Sequence, residues 1–130
     1  MEKKDDHIIF NMSVSEFQRY LESNKGLLLI KFGATWCKPC RLIQDLVHEY
    51  FTHVPDTVTC AILDVDQNIE LYGYLKKNRV TYGIPCILCY DKNETPPFGV
   101  MPKDSITGAD INELHMFFSR CRSRLLEMAR

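Results

Sequence analysis

Ile30-Lys31-Phe32-Gly33-Ala34-Thr35-Trp36-Cys37-Lys38-Pro39-Cys40 is the stretch on which the reading of this chain turns. Leu27 to Phe32 is a short apolar run of the length expected for a buried strand. From Trp36 to about Phe51, Leu42, Leu46 and Val47, with Ile43 and Tyr50, recur at helical spacing on one side. Pro39 falls in the first turn of that predicted helix, where a missing N–H costs nothing. The junction of strand and helix therefore carries two cysteines with two residues between them. That arrangement suits thiol–disulfide exchange, which needs one thiolate to attack and a second thiol close enough to release the mixed disulfide. Cys37 is expected at the exposed helix N-terminus, where partial positive charge lowers a thiol pKa. Cys40 is expected one turn inside, shielded but within bridging reach. Pro39 would fix the backbone between them, Lys38 would add a cation beside the nucleophile, and Trp36 would offer a flat apolar flank.

Outward from this junction the pattern alternates. His7 to Phe10 reads as a short strand. Ser13-Val14-Ser15-Glu16 has the capping-box form and predicts a helix to about Ser23, ended by Asn24-Lys25-Gly26. Thr57 to Val65 is β-branched and apolar, a second buried strand. Ile69 to Lys77 predicts a helix with Ile69, Tyr72 and Leu75 as its stripe. Ile84 to Tyr90 is a further strand, Asp91-Lys92-Asn93 a turn, and Thr95 to Ser105, with three prolines, the loosest stretch. A short edge strand is expected near Ile106. Asp110 to Glu113 would open a long last helix with the stripe Ile111, Leu114, Phe118, Cys121, Leu125. Strands alternating with helices predict an α/β sheet with helices on its faces.

At 130 residues the chain is one domain's worth. Its 16 Lys+Arg nearly cancel 17 Asp+Glu, so net charge provides no basic field to hold nucleic acid. No apolar run approaches the roughly 20 residues of a membrane span. The charged, sign-mixed stretch Met1 to Asp6 looks like neither a secretory signal nor a transit peptide. A reducing, cytoplasmic setting is expected, in which most of the six cysteines are free thiols.

With these residues in hand, the Ile30–Cys40 segment resembles the active-site segment of thioredoxins. Asp64-Val65-Asp66-Gln67-Asn68 resembles the end of that family's next strand, Gly83-Ile84-Pro85 its cis-proline loop, and Thr107-Gly108-Ala109 its final turn. The islands occur in family order and cover roughly Ile8 to Cys121. The resemblance implies a single thioredoxin-like domain over residues 1–130, with a core of about 8–121 and a basic helix end at 119–130. Its fold would be a central mixed β-sheet flanked by helices on both faces. It implies a thiol–disulfide oxidoreductase in cell redox homeostasis and electron transport, with Cys37 as nucleophile and Cys40 as resolving thiol. Pro85 would be cis and pack against the disulfide, and the Ile84 backbone would pair an extended substrate segment. Protein disulfides are the implied substrates, and a thioredoxin reductase or the glutathione system the electron donor. No cofactor or metal is implied beyond the cysteine pair.

The departures from the family pattern carry their own expectations. Lys38 stands where thioredoxins usually have Gly. Lys31 stands where they carry a buried Asp credited with proton transfer to the resolving thiol, and Ile62 where a lysine often pairs with it. Lys31 is thus expected to modulate the Cys40 pKa by its charge, while proton handling passes to water or another group. Asp45 replaces a kinking proline. The Lys31 and Gly33 positions also match a thioredoxin-like spliceosomal adaptor, which gives a rival reading: a protein-binding module with a non-essential Cys-x-x-Cys. A zinc site would need four ligands, yet Cys86 and Cys89, three apart on a strand, are expected on opposite faces. Cys86 follows the cis-proline and reads either as a third thiol near the site or as a small buried residue. Cys60, Cys89 and Cys121 read as core. Asp64 and Asp66 read as solvated carboxylates at a strand end, and Arg120, Arg122 and Arg124 as cations favoured near a helix C-terminus.

Overall fold

The computed structural model describes residues 7–92 and 100–130. In chain order its elements are α1 (Val14–Glu22), β1 (Leu27–Gly33), α2 (Lys38–Thr52), β2 (Val58–Asp64), α3 (Ile69–Lys77), β3 (Cys86–Asp91), β4 (Asp104–Thr107) and α4 (Ile111–Met128). The strands form one mixed sheet in the order β2-β1-β3-β4. β1 runs parallel to β2, with Leu29 opposite Cys60 and Gly33 opposite Asp64. On its other side β1 runs antiparallel to β3, with Leu29 opposite Cys89, and β3 pairs antiparallel with β4. The Asn93 turn and the start of the proline-rich stretch lie outside the described residues, as does Met1 to Asp6.

All seven residues of β1 are buried, as a central strand covered on both faces demands. Alternation then divides its side chains. Leu27 and Leu29 pack with Ile43, Val47 and Phe51 of α2 and with Leu114, Phe117 and Phe118 of α4. Leu28, Ile30 and Phe32 pack with Phe17 of α1 and with Leu71 and Leu75 of α3. Each such side chain withdrawn from water contributes about 1.5–3 kcal/mol. The expected thioredoxin-like sheet with helices on both faces is what forms.

Helix starts follow their local chemistry. Ser13 Oγ accepts the Glu16 N–H at 3.1 Å while Glu16 Oε1 accepts the Ser13 N–H at 2.8 Å, a complete capping box. Asp110 caps α4 by accepting the Glu113 N–H at 3.0 Å.

Three details differ from the sequence expectation. His7 to Phe10 is not a strand: Ile9 alone bridges β2, donating to Cys60 O and accepting from Ile62 N. His7 instead turns its ring to Phe51 O, and Phe10 is exposed. The α3 stripe is rotated: Ile69 is 70% exposed, and Leu71 and Leu75 enter the core. The cause is Asn68, whose buried amide is fixed to three backbone groups, Met12 N, Asp64 O and Phe10 O, and so sets the angular start of the helix. Leu42 of α2 and Ile111 of α4 likewise face solvent, while Phe117 takes a core place.

The arginines expected near the C-terminus of α4 lie short of it, because the helix runs on to Met128 and its last turn carries no basic residue; Arg120 has a structural use instead. Arg120 holds Asp104 of β4 through two bonds, at 2.7 and 3.2 Å, and its guanidinium lies 5.8 Å from the Phe117 ring centroid. The edge strand is thereby clamped to the last helix.

Candidate active site

β1 ends at Gly33, and the chain turns through Ala34 to Trp36 before α2 begins. The Cys37 N–H donates to Ala34 O at 3.2 Å, which closes that turn. Cys37 is itself the N-cap of α2: its backbone is extended and its Sγ accepts the Cys40 N–H at 3.2 Å. Lys38 and Pro39 supply the first exposed residues of the helix. The sulfurs of Cys37 and Cys40 are joined as a disulfide, with Cα atoms 5.2 Å apart, inside the usual bridging range. The expected contrast between an open Cys37 and a shielded Cys40 is small in this oxidised form. Cys37 is 6% and Cys40 3% exposed, because Ala34, Val65 and Ile84 pack around the pair.

Two loops complete the rim. The Ile84–Pro85 peptide bond is cis, as the resemblance implied. Pro85 is buried and its carbonyl accepts the Gly108 N–H at 2.9 Å, tying this loop to the turn after β4. Gly108 has φ 104°, a conformation that a side chain would strain. Ile84 packs onto the disulfide, and Tyr82 beside it is 77% exposed. On the opposite rim Trp36 is 65% exposed, with its ring fixed by an Nε1–H bond to Asp66 Oδ2 at 2.8 Å. Asp66 in turn donates its N–H to Asp64 Oδ1 at 2.8 Å.

Beneath the helix lies Lys31. It is 4% exposed, and desolvation holds its pKa below that of an ordinary lysine. It shares a cavity of about 210 Å³ with Gly33, Cys40, Gln44, Asp64 and Gln67. The sequence thus placed the amine correctly, but its environment works against its charge.

The other thiols stand apart. Cys86 faces the α1/α3 side and Cys89 the α2/α4 side. The Cys86 sulfur lies 3.1 Å from Thr81 Oγ1, and burial pushes its pKa up, which suits an inert core thiol rather than a third redox group. Cys60, Cys89 and Cys121 are fully buried together. Among the described residues no three His, Cys, Asp or Glu side chains are grouped to hold a metal ion.

The family model for thioredoxin matches residues 8–112. The chain belongs to the thioredoxin family. Chloroplastic thioredoxin X of Arabidopsis thaliana is 33% identical over 100 residues, which cover 76% of this chain and 52% of that protein. The thioredoxin of Bacillus subtilis is 30% identical over 90 residues, covering 65% of this chain and 80% of its own. In several relatives, including that of Listeria monocytogenes, the matched stretch spans only about half of the relative's length (50% there). Among solved structures, a mutant thioredoxin from Halobacterium salinarum superposes with TM-score 0.67 over 94% of both chains at 17% identity. Trichomonas vaginalis thioredoxin gives 0.66 at 23% identity, over 90% of this chain and 98% of that one. At such identities these structures speak for the fold.

Within this thioredoxin-family site, two residues do more than the sequence shows. Asp66, which reads as a solvated carboxylate, orients Trp36. Asn68 joins three segments. Gly33, singled out in the sequence beside Lys31, opens the space between Lys31 and Cys40.

Proposed function

We propose that this chain is a thiol–disulfide oxidoreductase that reduces protein disulfides by dithiol exchange, working as a single domain in a reducing, cytoplasmic setting. The observation that carries the reading is the Cys37–Cys40 disulfide at the start of α2, with Cys37 as N-cap. Reduced Cys37 is the nucleophile, since its sulfur sits where the helix N-terminus favours a thiolate. Its attack on a target disulfide forms a mixed disulfide and releases one target thiol. Cys40, whose Cα lies 5.2 Å from that of Cys37, then attacks Cys37 and releases the second. Trp36, Lys38 and Pro39 on one rim, and Ile84 and Pro85 on the other, receive the target as an extended segment held by main-chain hydrogen bonds. The pair is itself the redox group and works without a cofactor. Electrons return from a thioredoxin reductase or the glutathione system. No helix of the described residues is long and apolar enough to cross a membrane, which is compatible with this setting.

Equilibration in a series of dithiol redox buffers, read by peptide mass spectrometry, tests the proposal. One reversible two-electron transition confined to Cys37 and Cys40 is expected. With Lys38 in place of glycine, its midpoint should lie above roughly −270 mV, the thioredoxin value. A pair that fails to cycle, or that scrambles into Cys86, would return the lead to a protein-binding adaptor.

A further inference from the structure

At the end of the sheet away from Cys37 and Cys40, a cavity of about 490 Å³ opens beside the last turns of α2 and α4. Gly26 lines it, and β1 runs from the next residue to Gly33, so roughly 20 Å of strand separates this place from the cysteine pair. Its volume is in the range of about 300–1,000 Å³ that holds small molecules. The floor is apolar: Val54 is buried, and Tyr50, Leu125 and Met128 are half-buried around it. The Tyr50 ring is stacked on Phe118 at a centroid distance of 3.9 Å, so this wall is already in place. Leu126 adds an apolar side chain that is 63% exposed. The rim is basic. Lys25 before β1, Lys92 after β3 and Arg122 of α4 line it from exposed positions, and no Asp or Glu of the described residues does.

The C-termini of α2 and α4 also meet here, and helix C-termini attract cations. That attraction does not use up the charge. Each helix end is worth about half a negative charge, about one in all. Lys25 and Arg122 bring two positive charges even before Lys92 is counted. His53 turns its ring to Glu49 O and Thr52 Oγ1, at 2.8 and 3.0 Å, and takes no part. The surplus is positive although the whole chain carries a net charge of −1. We propose that this cavity binds a medium-chain fatty carboxylate, its methylenes over Val54, Tyr50, Leu125 and Met128 and its carboxylate at the rim with Arg122 and Lys25. Guanidinium and ammonium donors suit carboxylate oxygens. An inorganic anion would leave the apolar floor wet, and a neutral apolar molecule would ignore the rim. The site is separate from the thiol chemistry and goes beyond the reductase reading.

Monomeric decanoate, titrated into the whole chain with Cys37 and Cys40 oxidised and followed by two-dimensional amide NMR, tests the proposal. Saturable shifts are expected at Gly26, Val54, Leu125 and Ala129, with a Kd on the order of 0.1 mM. Octanoate, shorter by two methylenes, should bind about tenfold more weakly. Decanol, which keeps the chain and loses the charge, should also bind about tenfold more weakly. Arg122→Gln and Lys25→Gln change exposed residues, so both should fold. Each should weaken decanoate about fivefold and leave decanol unaffected. Leu126→Glu sets a carboxylate at the cavity and should abolish decanoate binding. The proposal is overturned by the absence of saturable shifts, by equal affinity for decanol, or by wild-type affinity in both Gln variants. Shifts centred on Trp36 and Ile84 overturn it too. If the same amides move on dilution without decanoate, the face belongs to a second copy of the chain. If phosphatidylglycerol vesicles bind and decanoate does not, it belongs to a lipid surface; either result overturns the proposal.

Discussion

The sheet face covered by α2 and α4 divides in two along a single strand. At Leu27 and Leu29 it is dry and full: Leu29 lies between Cys60 and Cys89, and Cys121 closes over them from α4. Two residues further on, the same face presents Lys31 and Gly33, and there it opens into a polar cavity below Cys40. Both halves contain cysteines, but only one half joins them as a disulfide at a helix start. Cys37 and Cys40 stand at a helix start with backbone N–H groups at hand. Cys121 is hydrogen-bonded to Cys89 and buried, and both effects push its thiol far above the ordinary range. Residue type therefore decides little here; space and the nearest helix end decide the chemistry.

The largest expected effect tests the division itself. Leu29→Lys places a lysine on the same face two residues from Lys31, where no cavity receives it. It should cost about 4 kcal/mol or more and abolish the cooperative unfolding transition. Recovery of a stable protein would mean that the two halves are alike. Next, Cys37→Ser should reduce disulfide turnover by about 10³-fold or more. Cys89→Ala, in the full half, should leave turnover intact and lower stability by about 1 kcal/mol in urea titrations.

A smaller effect concerns Lys31 and pH. Its folded pKa is below the ordinary 10.5, so between the two values the unfolded chain binds more protons. Stability carried by this group therefore rises with pH through that window. Lys31→Met should accordingly be more stable than wild type at pH 7, by roughly 1–3 kcal/mol. The gap should close as pH approaches 10.5; a gap that widened instead would mean that the amine is held charged. Smallest of all, Asp66→Ala removes the bond to Trp36. It should cost about 1 kcal/mol or less, with a few-fold loss of turnover and a mobile indole in Trp36 fluorescence anisotropy.

What the sequence made legible follows the same division. The full half announces itself through Leu27 to Ile30, Thr57 to Val65 and Ile84 to Tyr90, because buried strands are written as apolar runs. The cysteine pair was legible because a strand, two thiols and a proline-bearing helix start stand next to one another. The rotation of α3 was not, since it depends on where one amide from Asn68 finds partners 56 and 58 residues away in sequence. Nor was the lone Ile9 bridge, because His7 to Phe10 has strand-like residues whose pairing ends when His7 finds Phe51 O. Lys31 could be seen as unusual, but only the empty place at Gly33 shows what it shares with Cys40.

Asn68 also bears on how the molecule breathes. Its amide stitches Phe10 and Met12 to Asp64, and Phe10 is one wall of the cavity under Cys40. The stretch from Ile9 to Met12 is thus tethered to the redox end of the sheet through one side chain and one bridge. The rate at which the Met12 amide exchanges with deuterium should therefore report how often bulk water reaches the Cys40 sulfur, without any thiol having reacted.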